Sequence, residues 1–178
     1  MRREVMFAGF GGQGILSMGQ ILCHAAMGEG LEVVWSPSYG AEMRGGTANC
    51  IVVVDERPIG SPVTKNPMNL VAMNRPSLEK YAPMVKPGGV VLVNSSLINI
   101  GAGRDDVDEL LVPANDIATK LGNVQAANIV ALAAFVERSK IVGFDSLREC
   151  VKEVFAKKEK LIPLNMDAMD QGKKIAQS

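Results

Sequence analysis

Val5-Met6-Phe7-Ala8 runs into Gly9-Phe10-Gly11-Gly12-Gln13-Gly14, and Ile15 then opens a long helical pattern. An apolar run, a glycine turn and a helix in that order read as the first strand, loop and helix of an α/β domain. Glycines at four of six positions let backbone N–H groups approach an anion at the positive end of the helix. The spacing fits the GxGxxG pattern of dinucleotide-binding units. Such units place an Asp or Glu at the end of the second strand, roughly 20 residues on. Here the second strand, Leu31–Trp35, ends in Ser36-Pro37-Ser38 and carries no carboxylate at its tip. The turn therefore reads as a phosphate-approach loop rather than a standard NAD site. Tight packing of helix on strand, with no ligand, explains the same glycines equally well.

Composition sets the outer limits. The chain has 178 residues, 47% of them apolar, which suits one domain with a full core. Formal net charge is zero, so the electrostatic footprint of a nucleic-acid binder is missing. No apolar stretch reaches the roughly 18–20 residues of a membrane span. Met1-Arg2-Arg3-Glu4 is followed by an apolar run too short for a signal peptide. These features predict a cytoplasmic protein with neither nucleic acid nor membrane as partner. Cys23, Cys50 and Cys150 form no CxxC or ferredoxin spacing, and His24 stands alone. No metal site and no catalytic group is expected. A Walker A lysine, a nucleophile elbow and the Gly-Asp-Gly of thiamine sites are all missing.

Strand and helix patterns alternate through the rest of the chain. Helices are expected at 15–27, 76–81, 115–121, 125–138 and 166–175, and strands at 48–54, 69–73, 90–93 and 109–112. Ile59–Val63 reads as a short extended return, antiparallel to the strand before it. Ser146-Leu147-Arg148-Glu149 has the form of a capping box opening a helix to about Lys158. Lys157-Lys158-Glu159-Lys160 reads as its solvated end. With no repeat and no linker, residues 1–178 are expected to form a single three-layer Rossmann-like α/β domain with a mostly parallel, mixed sheet.

The segment from Ser36 to Thr47 is polar and glycine-rich, and a loop of that length in a compact domain calls for a function. Glu42 and Arg44 could form a local ion pair worth less than ~1 kcal/mol. Alternatively, Tyr39, Glu42, Arg44, Gly45, Gly46 and Thr47 form a subunit interface. There the glycines allow close approach, and Tyr and Arg act as anchors.

Three stretches together, Gly9–Gly14, Ser38–Ala48 and Asp55–Pro62, resemble the gamma subunit of 2-oxoacid:ferredoxin oxidoreductases, and the likeness extends over essentially the whole chain. Pyruvate-type gamma chains carry a Phe-Gly-Pro-Glu-Arg-Arg-Gly-type loop. Tyr39-Gly40-Ala41-Glu42-Met43-Arg44-Gly45-Gly46 looks more like the 2-oxoglutarate or branched-chain groups, with the lean toward 2-oxoglutarate. The resemblance implies a non-redox subunit working with alpha, beta and delta chains, and with ferredoxin indirectly. It implies thiamine diphosphate, Mg and iron–sulfur clusters on those other chains, with coenzyme A as acyl acceptor. Under it, Gly9, Gly11, Gly12, Gln13, Gly14 and Arg44 become candidates for part of a coenzyme A site. The competing expectation is a free-standing Rossmann-like module for a nucleotide or coenzyme.

Overall fold

The computed structural model describes residues 1–39, 47–61 and 64–178. Six strands form one sheet: β1 (Arg3–Phe10), β2 (Glu32–Tyr39), β3 (Thr47–Asp55), β4 (Asn69–Ala72), β5 (Val90–Asn94) and β6 (Asp108–Val112). Their order is β2-β3-β1-β4-β5-β6. β3 runs antiparallel to both of its neighbours, while β1, β4, β5 and β6 are parallel. The sheet is thus mixed and mostly parallel. Because β3 is inserted between β1 and β2, the first crossover skips a strand, unlike that of a standard dinucleotide fold.

Helices cover both faces. On one side α1 (Ile15–Gly28), α4 (Ala127–Ser139), α5 (Phe144–Val154) and α6 (Ile162–Gln177) share a core with alternate strand residues such as Val5, Phe7, Val52 and Leu92. Phe7 and Phe135 meet edge to face there, with ring centroids 6.0 Å apart. On the other side α2 (Arg75–Tyr81) covers Met6, Ala8, Leu70 and Val91. The central strands β4 and β5 are buried on both faces, which is why they read as unbroken apolar runs. The short α3 (Ala114–Lys120) follows β6 and is ended by Gly122, which takes a φ of 93°.

Four expectations are corrected. The antiparallel hairpin is β2–β3, joined across the long loop; 59–61 form no strand, and 62–63 lie outside the described residues. β2 continues through Pro37 to Tyr39, since an edge strand tolerates a residue with no N–H. Ser146 does not cap α5. That helix starts three residues earlier, with Gly143 at the N-cap position, and the Gly143 N–H donates to the Glu29 carboxylate at 2.6 Å. α5 also stops at Val154, short of Lys158; Lys158 leaves helical geometry at φ −129°, inside a separate 3-10 stretch (Ala156–Leu161).

Candidate functional site at the carboxyl end of the sheet

The glycine turn leaves β1 at the carboxyl end of the parallel strands and enters α1. Chain direction reverses there, because the connection from β1 goes to one side of the sheet and that from β4 to the other. In open α/β sheets such a crevice is where ligands bind. The glycines divide into two kinds. A Cβ on Gly9 would lie 2.5 Å from Gln13 Oε1 and 2.7 Å from Ile15 Cδ1. One on Gly14 would lie 2.4 Å from Asn128 Nδ2, and Gly14 takes a φ of 74° as the N-cap of α1. These two glycines pack the turn against β4 and α4. Gly11 and Gly12 are exposed instead, and Gly12 adopts a φ of 91° with open space around its Cβ position. The left-handed positions are Gly12 and Gly14, not Gly11.

Gln13 holds the turn in shape. Its Oε1 accepts the Phe10 N–H at 2.7 Å, its Nε2 donates to the Met73 carbonyl at 3.1 Å, and its own N–H donates to the Phe10 carbonyl at 3.2 Å. Both ends of the amide are therefore engaged inside the protein. Asn94 does a similar job at the end of β5. Its Nδ2 donates to Asn115 Oδ1 at 2.8 Å and its Oδ1 accepts the Ala114 N–H at 3.2 Å.

Two depressions open around this turn. One of about 220 Å³ is lined by Gly12, Gln13, Met73, Asn115, Val124 and Gln125. A wider cleft of about 500 Å³ runs past Gly12, Gly14, Ser17 and Asn128 to Lys157 and Lys158. No side chain caps the N-terminus of α1, whose first N–H groups have no partners within the helix. The cleft thus combines a helix N-terminus, open backbone donors and two ammonium groups, which suits a phosphorylated ligand. Among the described residues, no carboxylate, His or Cys lines either depression.

Of the loop candidates, Tyr39 ends β2 and Thr47 opens β3, where it is exposed and pairs with Phe10. The loop therefore starts and finishes at this same end of the sheet. Glu42, Arg44, Gly45 and Gly46 lie outside the described residues. Cys23, Cys50 and Cys150 are buried, and burial pushes their thiols up to about 12, 11 and 11. Among the described residues no group of three His, Cys, Asp or Glu side chains could hold a metal ion. His24 is exposed on α1. No described helix is long and apolar enough to cross a membrane. Sequence reasoning missed Asn128 and the two lysines as site residues. Lys157 and Lys158 look like any solvated run, and both are among the residues that line the wider cleft.

Comparison with known proteins places this geometry in a family. The profile of the pyruvate ferredoxin/flavodoxin oxidoreductase family matches residues 4–175. The ketoisovalerate oxidoreductase subunit VorA of Methanothermobacter thermautotrophicus is 43% identical over 171 residues, covering 95% of this chain and 35% of the relative. The 2-oxoglutarate synthase subunit KorC of Methanocaldococcus jannaschii is 35% identical, covering 99% of this chain and 95% of the relative. The chain therefore spans about a third of the length of the VorA relatives but nearly all of KorC. Among solved structures, the gamma subunit of a keto/oxoacid ferredoxin oxidoreductase from Geobacter sulfurreducens superposes with a TM-score of 0.88 at 29% identity, covering 99% of this chain and 97% of that one. The 2-oxoglutarate:ferredoxin oxidoreductase of Magnetococcus marinus, solved with 2-oxoglutarate, coenzyme A and succinyl-CoA bound, gives 0.91 at 26% identity, covering 99% of this chain and 31% of that one. With a family match across nearly its whole length and a gamma-subunit fold, the chain belongs to the pyruvate ferredoxin/flavodoxin oxidoreductase family, as a gamma-type subunit of the 2-oxoacid:ferredoxin oxidoreductases.

Proposed function

We propose that this chain is the gamma subunit of a complex that oxidatively decarboxylates a 2-oxoacid and passes the acyl group to coenzyme A. The family match over residues 4–175 is the observation that carries the reading. In it, thiamine diphosphate with Mg and the iron–sulfur clusters sit on alpha, beta and delta chains, which deliver the electrons to ferredoxin in the cytoplasm. Thiamine diphosphate supplies the carbanion chemistry when bound on those chains. This subunit supplies no redox group; its part is to bind and orient.

The 2-oxoacid is 2-oxoglutarate on this reading, supported by the sequence of the Tyr39–Gly46 loop and by the KorC relative, 95% of which this chain covers. The higher identity to a ketoisovalerate oxidoreductase subunit favours a branched-chain 2-oxoacid as the second reading. Comparing kcat/KM for the two acids on the purified complex decides between them.

The glycine turn is proposed to meet the phosphates of coenzyme A. Gly11 and Gly12 offer exposed backbone at the α1 N-terminus, and Lys157 and Lys158 line the same cleft. Arg44 adds a guanidinium able to pair a phosphate bidentately. Gly9, Gln13 and Gly14 support the turn from beneath. Steady-state kinetics on the reconstituted complex test this assignment. Arg44→Ala and the Lys157→Ala/Lys158→Ala pair should each raise KM for coenzyme A about tenfold, the worth of one ~1.4 kcal/mol contact, and leave KM for the 2-oxoacid nearly unchanged. Unchanged KM for coenzyme A in assembled variants would remove the site from this chain.

A further inference from the structure

Two helix pairs bring remote side chains into the wider cleft. α5 runs back along α1: the Gly143 N–H meets the Glu29 carboxylate, and Cys150 Sγ donates to the Ile21 carbonyl at 3.4 Å. The end of α5 therefore arrives beside the first turns of α1, and Phe155, its C-cap residue, lines the cleft. α6 runs alongside α4 in the same direction. Gly172 lies against the Val130 carbonyl, and Arg138 donates to the Ala176 carbonyl at 3.2 Å. The first turn of α6 therefore lies beside the start of α4, and Asn165 from that turn lines the cleft as well.

Asn165 is only 3% exposed. Its Nδ2 donates to the Leu161 carbonyl at 2.8 Å. A carbonyl only accepts, so the amide must turn its NH2 toward Leu161, and that fixes Oδ1 on the other side. Oδ1 accepts no hydrogen bond among the described residues. Buried polar groups are nearly always satisfied, and each exception calls for an account. Leucine at this place would have the better helix propensity and no polar atom to satisfy.

Phe155 is the second unmatched group. Phe7 packs on Phe135, and Phe144 is faced by Arg148 and Lys173. The half-buried Phe155 ring has no aromatic or cationic partner among the described residues. An open aromatic ring beside a fixed hydrogen-bond acceptor is the pairing that recognises a nucleobase: the ring stacks on any base, and the acceptor selects one with an amine on its edge.

We infer that the wider cleft reads an adenine base, which stacks on Phe155 and donates its exocyclic amine to Asn165 Oδ1. The phosphates then lie between the glycine turn and Lys157 and Lys158, which line the same cleft. Hypoxanthine carries a carbonyl where adenine carries the amine, and its oxygen would face Asn165 Oδ1 with no proton between them. Coenzyme A ends in an adenosine diphosphate unit, so the inference rests on the proposed function and adds a form of regulation to it. Free adenine nucleotides occupy the base pocket and compete with coenzyme A.

The test uses the reconstituted complex, with ADP and IDP as probes in calorimetry. The wild-type complex should bind ADP about tenfold more tightly than IDP, a comparison that needs no variant. Asn165→Leu should abolish that preference. Phe155→Leu should weaken both nucleotides about tenfold and keep their ratio. In turnover, ADP should inhibit competitively against coenzyme A. Equal affinity for ADP and IDP in the wild type, a preference that survives Asn165→Leu, or inhibition that coenzyme A does not relieve would each overturn the inference. With coenzyme A-dependent turnover intact, those results leave the proposed function standing. An Asn165-dependent ADP preference in a complex without coenzyme A-dependent turnover would support the base pocket and overturn the proposed function instead.

Discussion

Gly12 and Gly14 are two residues apart, share positive φ and have different jobs, which single substitutions can separate. Gly12→Ala meets only the backbone penalty of the left-handed region, about 1 kcal/mol. Gly14→Ala meets that penalty and drives a methyl into Asn128, so it should cost about 2–4 kcal/mol. Urea unfolding of the two variants checks the order; a smaller loss at Gly14 would contradict the packing assignment. Gln13→Leu removes the acceptor of the Phe10 N–H and leaves the Met73 carbonyl only its longer bond from Asn94 Nδ2 at 3.4 Å, and should lower stability by about 1–2 kcal/mol through the turn alone. The sequence showed that glycine was needed here because the spacing is periodic and local. Which glycines pack and which stay open was not legible, since Asn128 and Met73 arrive from remote segments. Gly11 is exposed and does not share the positive φ of Gly12 and Gly14.

Elements read well wherever burial decides them. β4 and β5 are apolar because both faces are covered, and α1 and α4 bury one stripe each. Strand order was not legible, because β3 reaches its place beside β1 through pairing between distant segments. The capping-box reading of Ser146 failed because a remote carboxylate, Glu29, takes the helix-opening N–H. Two further contacts between elements give predictions. A Cβ on Gly172 of α6 would lie 2.3 Å from the Val130 carbonyl oxygen on α4, so Gly172→Ala should lower the melting temperature by several degrees despite its better helix propensity. At the amino end, burial opposes the charge on Glu4, but hydrogen bonds from Lys86, Arg2 and Thr64 outweigh it and hold the carboxyl below its ordinary value of 4.5. A depressed carboxyl stabilises the fold above that value and loses the contribution as pH falls below it. Acid titration of stability should therefore steepen below about pH 4.5, and Glu4→Gln should flatten that limb while costing on the order of 1–2 kcal/mol at pH 7.

At the scale of the whole molecule, the two ends of the sheet serve different purposes. The amino end is closed by ion pairs; the carboxyl end carries open backbone, two lysines and exposed apolar side chains. The position of the site was legible, since a glycine turn between the first strand and helix must fall at that end. Its partners were not. Val124, Lys157 and Asn128 come from the last third of the chain and carry no motif. The central claim is that this chain works only as one part of a larger oxidoreductase. The most direct measurement is isolation of the tagged chain from native extract, with identification of what accompanies it and assay of 2-oxoacid-dependent, coenzyme-A-dependent ferredoxin reduction. The account predicts co-isolation with larger chains holding thiamine diphosphate and iron–sulfur clusters, and activity that is lost when this chain is withheld from reconstitution. A monodisperse free chain carrying a bound nucleotide, with the reductase fully active in its absence, would contradict it.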